Sequence, residues 1–279
     1  MKKSTIIIVF SLVVVILISC AKVVFTGRRQ AKLIPSNQIN SLSFQQYNDF
    51  LTQNPPMKSG KEVDMVKRVG LKIQQATEKY YRANGMADQL QEFDWEFNVV
   101  NDATVNAFCM PGGKVVVYTG ILPIAKDEDG LAVIMGHEVA HALAHHGNER
   151  MSQTLGLQGA LLAIEAAIAV GQGAPADTAE AARDARTRAA IMQAAGAGAQ
   201  VGVLLPFSRK HELEADEIGL YLMAIAGYNV DVAGPFWERM SAGGGQRPPE
   251  FLSTHPDPDS RSQRLRELAP KAKALATQY

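Results

Sequence analysis

The run His137-Glu138-Val139-Ala140-His141 constrains this chain more than any other part of its sequence. Its two histidines are four positions apart, so in a helix they lie on one face and their ring nitrogens can converge on one metal ion. Glu138 is placed to take a proton from a metal-bound water rather than to join the same ligand set. Taken alone, the pattern is also compatible with a helix that carries two surface histidines and a glutamate.

A third ligand separates these interpretations, because a catalytic zinc site needs three protein ligands and an open position. One class of zinc enzyme uses a histidine six residues after the second histidine, but Gly147 occupies that position. Another class uses a glutamate of a later helix, and the segment from Glu212 to Asp216 has the required spacing. We therefore predict that Glu212 binds the metal and that Asp216 accepts the outer N–H of a ligating histidine. Glu214, on a different face of that helix, is expected to point to solvent.

Hydrophobic periodicity predicts a mainly helical α+β fold. Helical spacing covers residues 61–82, 131 onward, 210–225, 230–240 and 259 onward. The helix from 131 is expected to end near Gly147 and Asn148. Alternating, β-forming residues predict strands within 93–120, with a turn at residues 111–113, and we interpret them as a small antiparallel sheet.

The N-terminus predicts a lipid anchor. Two lysines precede an apolar run over residues 6–18, which is too short for a bilayer span of about 20 residues. Residues 17–20 (LISC) resemble a bacterial lipobox, in which the signal is cut before a cysteine that is then lipidated. We expect a signal peptide over 1–19, a polar tether without a long period that starts at a lipidated Cys20 and runs to 60, and a metallopeptidase domain over 61–279. An uncleaved anchor or an ordinary secretory signal is the alternative.

Composition adds three expectations. Lys+Arg and Asp+Glu balance at 28 each, so no basic excess indicates a nucleic-acid partner. The chain has two cysteines, Cys20 and Cys109, and lipidation of Cys20 leaves Cys109 without an intramolecular partner. Residues 155–205 are rich in Ala and Gly, and we interpret them as packed helices, with a membrane-touching hairpin or a lid over a cleft as the alternative.

Four sequence strings together resemble one known family. GHEVAHALAHH, SRKHELEADEIGL and STHPDPDSRSQRL, with the hairpin NAFCMPGGKVVVYTGIL, are similar to motifs of the HtpX-like and CAAX-prenyl-protease-like gluzincins and occur in that family's order. The resemblance covers roughly residues 30–270 and is closest to the periplasmic lipoprotein members of the BepA and LoiP kind. It implies a zincin-like core with the sheet beside the histidine-bearing helix, one Zn²⁺ per chain and hydrolysis of peptide bonds.

The resemblance also implies a role for each motif residue. His137, His141 and Glu212 would bind zinc, and Glu138 would be the general base and then the general acid. Asp216 would accept a hydrogen bond from the outer N–H of a zinc-binding histidine.

His255 and Arg261 also match positions of a family motif, whereas the other three histidines do not. His255 matches a histidine that approaches the metal in some relatives, although a loop-capping role at a helix start is the alternative. Arg261 would be a structural or cleft partner. His211 has no match, and we expect His145 and His146 to be surface residues at a helix end, where positive charge suits the dipole.

These observations predict a zinc-dependent metalloendopeptidase that binds extended, unfolded or misassembled envelope proteins along the sheet edge, a quality-control function. Ala21 after the cysteine favours the periplasmic face of the outer membrane. A latent zinc-bound chaperone or scaffold, with its open metal position blocked by His255, is the second hypothesis. A purely structural zinc site is less favoured, because such sites are usually closed by four ligands, often cysteines.

Overall fold

The computed structural model describes residues 20–156, 208–242, 250–255 and 258–279. Its helices, in chain order, are α1 (Ser36–Gln53), α2 (Lys61–Ala83), α3 (Leu122–Ala125), α4 (Glu128–Leu143), α5 (146–156), α6 (Arg209–Ile225), α7 (Ala233–Ala242), α8 (Glu250–Thr254) and α9 (Pro258–Ala276). The strands are β1 (Cys20–Lys22), β2 (Arg29–Ala31), β3 (Glu96–Val100), β4 (Ala107–Met110) and β5 (Lys114–Tyr118). The predicted mainly helical α+β class is confirmed.

Two predictions fall largely outside these ranges. The signal peptide over 1–19 is not among the described residues, and neither is the Ala/Gly-rich segment beyond residue 156. Of the helices that are described, none has both the length and the apolar character that a bilayer crossing requires.

Helix α4, which carries the two histidines of the opening motif, runs through the protein core. The Asp127 side chain accepts a hydrogen bond from the Gly130 N–H at 2.9 Å, and acidic residues in the first turn suit the positive end of the helix dipole. All residues from Gly130 to Leu143 are buried. The predicted end near Gly147 is wrong, because His145 adopts a left-handed backbone (φ 50°) and the chain starts α5 directly afterwards.

Helices α4 and α6 touch backbone to backbone where they cross. A Cβ atom at Gly136 would lie 2.9 Å from the carbonyl oxygen of Gly219, and one at Gly219 would lie 2.8 Å from the backbone nitrogen of His137. Any larger side chain at either position would push the helices apart. The two glycines therefore bring the histidines of α4 close to the acidic residues of α6.

The sheet formed by β3, β4 and β5 is mixed, so the prediction of an antiparallel sheet is wrong. Strands β4 and β5 form the predicted antiparallel hairpin, but β3 pairs with β5 in parallel. The chain leaves β3, forms β4 at the far edge of the sheet and returns through Gly112 and Gly113, both with positive φ, as the central strand β5. Alternation within a strand does not encode its order in a sheet. Strand β4 lies beside α4.

The segment over residues 20–60 contains a helix that the sequence analysis missed. The buried positions of α1 are Ile39, Ser43 and Tyr47, so only one aliphatic residue marks its inner face. Ser43 donates a hydrogen bond to the carbonyl of Pro111 at 2.7 Å, and Tyr47 accepts one from Asn98 at 2.8 Å. Polar anchoring of this kind leaves little hydrophobic periodicity to detect. The division into signal, tether and domain stays a prediction.

Candidate metal centre

Four buried side chains bring a set of metal-binding atoms together. His137 and His141 come from α4, Glu212 from the first turn of α6, and His255 from the residue after α8. One ligand atom from each lies within 4.8 Å of the others, and each residue is at most 4% exposed. The structure thus assembles the three predicted ligands and adds the histidine whose role was open.

The distances fit a cation among these donors. The Nε2 atom of His137 lies 3.0 Å from Nε2 of His141 and 3.1 Å from Nδ1 of His255. The two oxygens of Glu212 lie 3.4 Å from the Nε2 atoms of His137 and His141. Lone pairs that face one another at such distances repel unless a positive charge lies between them. Imidazole and carboxylate are donors that Zn²⁺ binds, so the residues present fit this ion.

The outer side of His137 is held by a carboxylate and an arginine. His137 Nδ1 lies 3.0 Å from Asp216 Oδ1, which leaves the Nε2 lone pair directed at the centre. Arg261 holds Asp216 through two hydrogen bonds, from Nε at 2.7 Å and from Nη2 at 2.6 Å, and stacks 3.5 Å from the centre of the Trp237 ring.

Arg261 also serves Glu212 as a counterion. Its Nη1 atom lies 2.9 Å from a Glu212 oxygen, and the arginine is only 1% exposed. Burial alone raises the pKa of Glu212, but the charges of His255 and Arg261 and hydrogen bonds to the two other histidines hold it well below its ordinary value. Arg261, predicted as a structural or cleft partner, therefore lies within the charge network of the site.

Glu138 lies beside the donor set with one oxygen available. The residue is 3% exposed, and its Oε1 atom, 3.4 Å from His255 Nε2, makes no hydrogen bond within the described part of the chain. The carboxylate also accepts a backbone hydrogen bond from Cys109 of β4, and burial raises the pKa of Glu138 to about 7. A buried polar atom without a partner is costly, so this oxygen fits a site that takes up a water or a substrate.

His255 is part of the donor set rather than a loop cap at the surface. Its ring stacks on Phe251, with centroids 4.5 Å apart, and its backbone N–H donates to the Phe251 carbonyl at 3.0 Å. Its Nδ1 atom lies 3.1 Å from an oxygen of Glu212, and its Nε2 atom faces Glu138. The ring therefore stands between the predicted third ligand and the predicted base.

Two predictions for residues around the site are wrong. His146, expected at the surface, is fully buried, with its Nδ1 atom 2.8 Å from Nδ1 of His141. Glu214, expected to point to solvent, is 7% exposed and lies 3.0 Å from Nε2 of His146. Burial lowers the pKa of His146 to about 4, so its neutral ring can accept at one nitrogen and donate at the other. The signal that was missed is the position of His146 directly after an apolar helix, which indicates burial. A buried polar residue requires a partner, and here the partners are His141 and Glu214.

The other residues singled out in the sequence lie farther from the centre. His145 is partly exposed, with Nε2 3.2 Å from the Lys32 amine. His211 is buried against Glu149, at 3.1 Å. Cys20 begins β1 and pairs with Ala31 through the backbone, and its lipidation stays a prediction.

Comparison with known proteins gives one consistent result. Residues 69–269 match the model of Peptidase family M48. The mitochondrial metalloendopeptidase OMA1 of Schizosaccharomyces pombe is 36% identical over 204 residues, which cover 72% of this chain and 53% of the relative. Human mitochondrial metalloendopeptidase OMA1 is 30% identical over 252 residues (88% and 45%), and the beta-barrel assembly-enhancing protease of Escherichia coli 29% identical over 191 residues (66% and 36%). The chain spans about half, or less, of the length of these curated relatives.

Proposed function

The chain belongs to peptidase family M48, and from this premise we propose that it is a zinc-dependent metalloendopeptidase with His137, His141 and Glu212 as its zinc ligands. The family match confirms the predicted gluzincin membership and, with the buried donor set, the predicted zinc cofactor. The observation that carries the proposed activity is the buried donor set next to the available oxygen of Glu138. A purely structural site would have no use for such a carboxylate.

The chain's own residues supply most of the proposed mechanism. Bound zinc would act as a Lewis acid toward the scissile carbonyl and make a nearby water more acidic. Glu138 accepts the proton of the attacking water and passes it to the leaving amine. Asp216 keeps the outer nitrogen of His137 protonated and its inner nitrogen available. Glu138 accepts a hydrogen bond from the backbone of Cys109, so the base lies directly beside strand β4.

Unfolded or misassembled proteins are the substrate class that this arrangement supports best. Strand β4 is the last strand of its sheet on one side, and an extended peptide can pair with such an edge through main-chain hydrogen bonds. A cavity between α1, β4 and α5 reaches His141 and has a largely apolar lining that includes Ile39, Leu42, Phe93, Phe108, Met110 and Met151. Unfolded chains expose the apolar side chains that would fill it.

The proposed location is the cell envelope, with quality control of envelope proteins as the task. Its support is the N-terminal lipobox-like sequence at Cys20 and the relative from Escherichia coli, whose name refers to beta-barrel assembly. The OMA1 relatives are named mitochondrial, so they support the chemistry rather than this location. The narrower resemblance to lipoprotein members of the LoiP kind is part of the same proposal.

Metal removal tests the proposed activity. We expect the purified chain to contain one zinc and to cleave a reduced, carboxymethylated protein at least about tenfold faster than the same protein with its disulfides intact, because only the unfolded form can lie extended at the sheet edge. A zinc chelator should abolish cleavage, and one equivalent of Zn²⁺ should restore it. The control is the same chelator saturated with zinc beforehand. Cleavage that persists after complete metal removal would contradict the proposal.

A second candidate function follows from the position of His255. With its Nδ1 atom 3.1 Å from Nε2 of His137, a zinc in this set would have four protein donors, as closed sites do. The protein would then be a latent zinc-bound chaperone or scaffold in its resting form.

His255→Ala separates the two candidates. We expect this variant to keep its zinc and to cleave the unfolded substrate several-fold faster than wild type, because one position on the metal becomes free. This result would support the latent form. Initial rates and zinc content are the measurements, and Thr254→Ala, at the neighbouring residue, is the matched control. A loss of activity would instead give His255 a part in substrate binding.

A further inference from the structure

Helix α6 carries a second carboxylate near the metal centre, that of Glu214. This carboxylate lies on the outer side of His141. Asp216 serves His137 directly, whereas Glu214 is separated from His141 by the ring of His146. The Nδ1 atoms of His141 and His146 are 2.8 Å apart, and Nε2 of His146 is 3.0 Å from Glu214. The three groups form one continuous buried chain, from the metal-facing ring to a carboxylate.

We propose that His146 and Glu214, held in place by Arg28, are positioning residues that orient His141 toward zinc. The inference rests on the proposed function only in so far as His141 is taken as a zinc ligand. It gives a role to two residues that the sequence analysis had placed at the surface, and to a third in the N-terminal segment.

One arrangement of protons satisfies this chain of groups. The Nε2 atom of His141 faces the other donors and needs its lone pair, so the proton of the neutral ring is on Nδ1. That proton is donated to Nδ1 of His146, whose own proton must then be on Nε2. A carboxylate only accepts hydrogen bonds, so Glu214 receives that second proton. Glu214 thereby fixes the tautomer of His141 through the ring of His146, which lies between them.

The backbone break at His145 creates this contact. In an unbroken α-helix, residues five positions apart point about 140° away from each other, given 3.6 residues per turn. The left-handed conformation of His145 (φ 50°) ends α4 and turns the next residue back toward the preceding turn. His146 therefore begins α5 with its ring against His141, with ring centroids 4.9 Å apart.

Arg28 supplies the charge that keeps Glu214 in place. Its Nε atom donates to Glu214 at 2.6 Å, while its two terminal nitrogens hold Glu149 of α5 at 2.8 and 2.6 Å. Thr26 donates a further hydrogen bond to Glu214. Buried carboxylates persist when they are paired. The turn between β1 and β2 thus presents a counterion that joins α5 to α6.

Zinc affinity of the full chain tests the proposal. His146→Leu and Glu214→Leu remove the hydrogen bonds at similar volume, and we expect roughly 10–100-fold weaker zinc binding, as is typical when an outer partner of a ligand is lost. The glutamine variants of the same two residues keep an acceptor and a donor, so they should recover most of the affinity. Competition with a chromophoric zinc chelator measures the dissociation constant.

Glu217→Gln is the matched control. Glu217 lies on the same helix, but it pairs with Tyr221 and Lys271, away from the site. Its zinc affinity should stay within about twofold of wild type, because no outer partner of a ligand is touched. The melting temperature of each metal-free variant separates lost stability from lost positioning.

Four outcomes are distinguishable. Leucine variants with wild-type zinc affinity and lowered melting temperature would overturn the inference, because the residues would then be structural only. If the leucine variants do not fold, the visible absorption of Co²⁺ in His146→Ala, which removes the partner of His141 Nδ1, decides: shifted bands support positioning of His141, and unchanged bands overturn it. A wild-type chain that binds no zinc would defeat the proposed function, and this inference with it. Normal zinc binding without proteolysis would defeat the proposed function alone.

Discussion

Glu138→Gln is expected to slow cleavage of an unfolded protein by roughly 10²–10⁴-fold, the usual contribution of a general base, while zinc content stays unchanged. Glutamine has nearly the same shape and can still accept the backbone hydrogen bond from Cys109, but it cannot take a proton. The zinc ligands on either side are untouched. Initial rates and metal analysis of the same preparation are the measurements.

Glu128→Gln is the control for that variant. Glu128 lies in the first turn of the same helix and pairs with Arg68 at the surface, so its loss should leave the rate within about twofold, as for most exposed ion pairs. Undiminished proteolysis by Glu138→Gln would remove the base from the mechanism. If the expected loss is observed, the inactive variant should retain bound substrates, and comparison of the proteins recovered with it and with wild type would identify them.

Replacement of Arg261 by methionine is expected to destabilise the metal-free protein by about 3–5 kcal/mol, as when one partner of a buried ion pair is removed. Arg261 is 1% exposed and neutralises both Asp216 and Glu212, so methionine leaves two buried carboxylates without their counterion. Zinc would compensate one of them, so the loss should be smaller with metal bound. Denaturant unfolding with and without Zn²⁺ measures both values.

Arg264→Met is the matched control for this prediction. Arg264 is on the same helix, but its side chain is 43% exposed and its ion pair with Glu217 is 3.4 Å long. Exposed pairs contribute about 0–1 kcal/mol, so its loss should be small. Equal effects of the two substitutions, or a loss at Arg261 that zinc does not change, would contradict the role of counterion.

Local patterns in the sequence predicted the elements whose inner face is aliphatic. Helices α2, α4 and α6 have such faces, and their predicted bounds agree with the structure at most ends. Helix α1 was missed because Ser43 and Tyr47 anchor it through hydrogen bonds. The parallel pairing of β3 with β5 was missed because the order of strands in a sheet depends on the path of the chain between them. The residues of one strand do not reveal that path.

Three residues of the donor set, together with Asp216 behind one of them, could be predicted because their spacing follows directly from helix geometry. His137 and His141, like Glu212 and Asp216, are four positions apart, and the structure brings the two pairs together. The groups behind His141 could not be predicted this way. Glu214 does point to another face of its helix, as expected, but a second layer of protein covers that face and only the tertiary fold reveals it.

The contact between Gly136 and Gly219 has a consequence for how such a protein can diversify. Where helices meet through side chains, a substitution is absorbed by small rotamer changes, but here the main chains themselves are in contact. A displacement at this crossing would change the spacing between the groups that the two helices carry. Under the proposed function, changes in the cavity-lining residues of α1, β4 and α5 would alter substrate contacts and leave this spacing intact, whereas a larger residue at the crossing would change it.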